Sequence, residues 1–129
     1  MRMIMELAGA IRKSILLSRD DDDPDAAAQL LEASLDGATE MDGSLLLTLE
    51  PETMATMLQL SGTDPMLIGY VTRTLLLESK FLEKAQSHSM AAFRREQAFA
   101  VAESFGIELD DVSVQEHNLE QFFADNQIR

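Results

Sequence analysis

The chain has 129 residues, 46% of them apolar and none of them cysteine. That suits one folded domain and excludes disulfides, iron–sulfur clusters, thiolate zinc sites and cysteine nucleophiles. With 23 acids against 10 Lys and Arg, the net charge is -13, and such a chain repels the phosphate backbone of nucleic acids.

The elements follow in chain order. Ile4, Leu7, Ala8, Ile11 and Ile15 fall at helical spacing and predict a first helix over about 3–17. The run Asp20 to Asp23 breaks it. Pro24 suits a first helical position, where its missing N–H costs nothing, so Asp23 is the expected N-cap of a helix over 25–35. Ala26, Leu30 and Ala33, with Ala27, are the candidates for its inward face. The short apolar stretch 41–48, with Leu45, Leu46 and Leu47 in a row, is read as helix among helical neighbours. Pro51 opens another short helix through Met54, Met57 and Leu58, and Ser61-Gly62 stops it.

Asp64-Pro65 opens the longest helix, to about residue 86, with a stripe of Leu67, Tyr70, Val71, Leu75, Phe81, Leu82 and Ala85. Ser87-His88-Ser89 is a polar break that caps the next helix, over about 90–105, and Gly106 fits its C-terminal cap. Ser113 and Glu116 have capping-box spacing and predict a last helix over about 113–124 that buries Leu119 and Phe122 or Phe123. All three prolines follow an acid and stand where a helix is expected to begin. Nothing alternates at period two, so the expected fold is a single all-α domain over 1–129. It consists of helix pairs over about 3–35 and 65–105, short connecting helices over 40–60 and a C-terminal helix.

An internal repeat runs through the two helix pairs. Ser14, Leu17, Ala26 and Ala33 recur at the same offset as Ser79, Leu82, Ala91 and Ala98. Small residues at these spacings let antiparallel helices approach closely, as in tetratricopeptide-type hairpins. Arg95 stands where the counterpart of Leu30 should be apolar. On these positions, and on the Leu45–Leu49 run with Pro51, the chain resembles a small family of uncharacterised bacterial proteins with a tetratricopeptide-like helical fold. The resemblance covers most of residues 1–105. It implies a right-handed superhelical array of hairpins and protein interaction as the default role, and it carries no catalytic residues.

Several chemistries have candidate residues in the chain. Asp21, Asp23, Asp25 and Glu32 fit positions of a calcium-binding EF-hand loop, but Ala26 replaces the glycine of its sharp turn and Pro24 favours helix there. The expected role of Asp20 to Asp25 is a solvated loop that caps a helix, with an acidic metal site as the alternative. His88 and His117 lack the Glu-x-x-His spacing of a di-metal bundle. A small acidic carrier protein is a second alternative, with Ser89 or Ser44 as the position for a phosphopantetheine arm, though neither has the carrier context. Glu116 and Glu120 share a helix face and are read as solvated. No nucleophile elbow or glycine-rich phosphate loop occurs.

Charge is distributed unevenly. Arg2, Arg12, Lys13 and Arg19 against Glu6 make the first 19 residues +3, and the remainder is -16. A basic amphipathic helix of this kind serves a membrane surface or a partner, or docks on its own acidic domain, and the last is the favoured reading. Met1, Met3, Met5, Met54 and Met57 are candidates for an adaptable interface, with core filling as the simpler use. No apolar run approaches the about 20 residues of a membrane span, and Glu6 with Arg12 and Lys13 interrupts a signal-peptide core, so the cytoplasm is expected. The function expected from all this is non-enzymatic: binding of a protein or peptide, or self-association through a terminal apolar face as a homodimer, without a cofactor.

Overall fold

The computed structural model describes Lys13, residues 23–35 and residues 43–109. Beside the helical Lys13, these residues form α1 (Pro24–Leu35), α2 (Gly43–Thr48), α3 (Pro51–Ser61), α4 (Pro65–Lys84) and α5 (His88–Ser104), with no strand among them. The expected helices over 3–17 and 113–124, with His117, Glu116, Glu120, Met1, Met3 and Met5, lie outside the described residues.

Prolines open three of the helices, as their spacing predicts. Asp23 Oδ1 accepts from the Ala26 N–H at 3.1 Å, and Asp64 Oδ1 accepts from the Met66 N–H at 2.9 Å. Each satisfies one of the donors that a helix start leaves without a partner. Glu50 and Ser87 precede α3 and α5 without a side-chain cap. His88 is the first residue of α5, so that helix starts two residues earlier than the sequence predicts. Gly62 ends α3 at φ 74°, a left-handed conformation that glycine adopts without strain.

The ends of α4 and α5 share one construction. Ile107 N–H reaches Ala102 O at 2.8 Å across Gly106 at φ 70°. Ser87 N–H reaches Leu82 O at 2.8 Å across Gln86 at φ 67°. Both are Schellman closures, but the second uses a residue with a side chain where the first uses glycine.

The central element is α4. It packs between α1 and α5, and it is buried nearly all round. Its predicted stripe is inside, except that Ala85 is partly exposed, and Ile68, Thr72, Thr74, Leu76, Leu77, Glu78 and Ser79 are inside as well. The hydroxyls among these are satisfied: Thr72 donates to Ile68 O at 2.6 Å, Thr74 to Tyr70 O at 2.7 Å and Ser79 to Ala91 O at 2.8 Å. The last bond ties α4 directly to α5, and Ala91 and Ala98 on α5 are fully enclosed, so the two backbones approach closely. Each large apolar side chain buried in this core, such as Leu31, Leu58, Leu76 or Phe81, contributes about 1.5–3 kcal/mol.

In α1 the inward face differs from the expected one. Ala27, Ala28, Leu31 and Leu35 are buried, Ala26 and Leu30 are partly exposed, and Ala33 is exposed. The reason is area. A face that contains both Leu31 and Leu35 removes more apolar surface from water than one built on Ala26 and Ala33. Ala33 therefore does not repeat the role of Ala98, and the repeat read from the sequence does not extend to matching burial. Similarly, Met54 is fully buried in α3 while Met57 is 39% exposed, so only the second is open to a surface role.

Candidate functional site

Two linked features stand out, a buried polar cluster and a surface groove. The cluster begins on α4, where Glu78 occupies a core position with no exposed surface. Arg94 on α5, also buried, donates from Nε to Glu78 Oε2 at 2.8 Å. Its Nη2 reaches Glu32 Oε2 on α1 at 3.3 Å, and its Nη1 donates to Gln97 Oε1 at 2.9 Å and to Leu47 O at 2.8 Å. Gln97 donates from Nε2 to Leu47 O at 3.0 Å and to Leu49 O at 2.9 Å.

One guanidinium thus serves α1, α2, α4 and α5. The fork geometry of Arg suits this use, since its donors point in fixed divergent directions. Two carboxylates share one cation, and Glu78 is the enclosed member. Burial holds its carboxyl well above the usual glutamate range, assisted by the neighbouring Glu32 and opposed by Arg94. Its Oε1 has no hydrogen-bond partner among the described residues. The effect of the cluster is to fix the backbone at Leu47 and Leu49.

That backbone leads directly into one wall of the groove. Glu50, Pro51, Glu52 and Thr53 face Ala92, Arg95, Phe99 and Ala100 across a space of ≈ 660 Å³ open to solvent, with Glu96 and Glu103 also lining it. Apolar atoms of Pro51, Ala92, Phe99 and Ala100 are flanked by four glutamates and a single arginine. The Arg95 guanidinium lies over the Phe99 ring at 4.9 Å from its centroid, a cation–π contact that covers part of this surface. The far end of the groove's helices is tied by Gln59 Nε2, which donates to Ser104 O at 2.7 Å. Since Gln97 grips Leu49, two residues before α3, and Gln59 near the end of α3 reaches the end of α5, α3 and α5 run parallel.

The residues singled out in the sequence sit elsewhere. Asp23 caps α1, Asp25 accepts from Gln29 at 2.9 Å and Glu32 faces Arg94, and helix from Pro24 onward replaces the loop an EF-hand needs. Asp20, Asp21 and Asp22 lie outside the described residues. Among the described residues no three His, Asp or Glu converge on a point that would hold a metal ion. His88 Nδ1 lies 2.9 Å from Glu83 Oε2, both exposed, and Ser89 is exposed beside it. Among the described residues no helix is long and apolar enough to cross a membrane.

Sequence reasoning missed Glu78, Arg94 and Gln97. A signal for them exists. Glu78 interrupts the apolar series Val71, Leu75 and Leu82, and Arg94 interrupts Ala91, Ala98 and Val101, each at core spacing. Comparison with protein-family models, with characterised proteins and with solved structures finds no match for the chain.

Proposed function

We propose that the chain is a non-enzymatic docking module of the cytoplasm, a tetratricopeptide-like helical array that holds a protein segment between α3 and α5. The observation that carries this reading is the groove itself, open to solvent and lined by apolar residues together with four glutamates and Arg95. Its wall is pinned by Arg94 and Gln97, which lowers the ordering cost of binding. The ionisable groups that differ most from ordinary surface residues, Glu78 and Arg94, are sealed inside and serve positioning. Part of the helix order supports the array: α4 and α5 turn back on each other at Gln86, and the alternate helices α3 and α5 run parallel and pack together, whereas α3 and α4 do not pack as a pair. The resemblance carried by the Leu45–Leu49 run and Pro51 points the same way.

A photo-crosslinking residue placed at Ala92 or Ala100, inside the groove, tests the reading in the native host. The control is Gln29, exposed on α1. Protein adducts formed from the groove positions and not from position 29 are the expected result. Equal crosslinking from all three positions, or a phosphopantetheine found on Ser89 or Ser44, would overturn it.

A further inference from the structure

We infer that the occupant of the α3/α5 groove is the basic N-terminal segment, residues 1–19, of a second copy of this chain. The inference rests on the docking reading above and names its partner. Charge is the first argument. The groove carries Glu50, Glu52, Glu96 and Glu103 against Arg95, and the segment carries Arg2, Arg12, Lys13 and Arg19 against Glu6. The two are opposite and equal in formal charge, -3 and +3. Complementary potentials of this kind steer association and set register.

Spacing is the second argument. Glu96 and Glu103 are seven residues apart on α5, which sets them about 10 Å apart along its axis. Arg12 and Arg19 are also seven apart. In the helix expected from the sequence, continued two residues past Leu17, they would have the same separation, on one flank of the stripe Ile4, Leu7, Ile11 and Ile15. Both pairs then meet in one register, while the stripe covers Pro51, Phe99 and Ala100. Lys13 is helical, with its side chain exposed. Reciprocal exchange of the two segments closes a two-fold dimer, and no surface is left over for further growth.

Sedimentation equilibrium of the full chain tests this by charge exchange. At about 0.05 M salt the mass is expected to be that of a dimer, and at about 0.5 M salt the dimer weakens. Glu96→Lys with Glu103→Lys leaves both partners of the contact basic, and Arg12→Glu with Arg19→Glu leaves both acidic. Each doubly substituted chain alone is expected to lose the dimer. An equimolar mixture of the two is expected to regain it, because every contact is again between opposite charges. Circular dichroism confirms that the variants keep their helix content, and Glu96 and Glu103 are exposed. A chain monomeric at low salt, a dimer that survives either substitution, or a mixture that stays monomeric overturns the inference. A monomer whose groove still crosslinks to a different protein sinks this inference and leaves the docking reading standing.

Discussion

At Glu78 the chain places a carboxyl with no exposed surface beside one guanidinium that it shares with Glu32. Because burial raises its folded pKa, the folded state holds a proton that the unfolded state has already released above about pH 4.3. The stabilising contribution is fully present below that value and is lost as pH rises toward the folded pKa. Glu78→Gln removes the ionisation and keeps an oxygen for Arg94 Nε. The variant is expected to melt higher than the parent at pH 8, with the advantage shrinking or reversing near pH 4, as thermal melts across this range will show. Arg94→Met is a different matter. It leaves two carboxylates without their cation and is expected to cost about 3–5 kcal/mol in chemical denaturation at neutral pH. The odd spacing of Glu78 and Arg94 within apolar series was visible in the sequence. Their pairing was not, because it depends on how α4 and α5 are rotated against each other.

At the scale of elements, the helix starts were the most legible feature. At α1 and α4 an acid followed by proline fixes them locally, through one side-chain acceptor and one preset φ, and at α3 the preset φ of Pro51 acts without a side-chain cap. Helix ends were legible to within two residues, marked by Gly62, by Gly106 and by the polar break after residue 86, but the left-handed backbone of Gln86 at φ 67° was not. Replacing Gln86 with glycine relieves that conformation. Gln86→Gly is therefore expected to raise stability by about 1 kcal/mol, measured by urea denaturation. Helix faces were less legible in alanine-rich segments, since alanine is small enough to sit on either side. Ala26 and Ala33 were expected inside, whereas Leu31 and Leu35 claim the core. This difference has a direct test. Ala98→Leu is expected to destabilise by about 1–3 kcal/mol through overpacking, while Ala33→Leu, on the exposed side of α1, is expected to change stability by less than about 0.5 kcal/mol.

For the molecule as a whole, the all-helical class followed from the sequence because period 3.6 patterns and caps agree along the chain. The central position of α4 followed less directly. A helix enclosed on most sides still needs polar residues that are satisfied by their own backbone, as Thr72 and Thr74 are, so composition alone understates its burial. The groove was not legible at all, since it is made by two helices separated by the whole of α4. Its wall depends on Gln97, which holds the carbonyls of Leu47 in α2 and of Leu49 just before α3. Gln97→Leu leaves those carbonyls short of donors and is expected to cost about 1–3 kcal/mol. It is also expected to speed amide hydrogen exchange over residues 49–54 more than over α4, as mass spectrometry of peptic fragments will resolve.

The way one guanidinium is divided among Glu32, Glu78, Gln97 and Leu47 O has a consequence for how this chain can change over generations. Removing the polar group of Glu78, Arg94 or Gln97 alone strands a buried partner, yet a set of apolar replacements fitted to the same volume is tolerated. The four positions 32, 78, 94 and 97 should accordingly be inherited as a block, conserved together in some lineages and turned hydrophobic together in others. Mixed combinations should be rare.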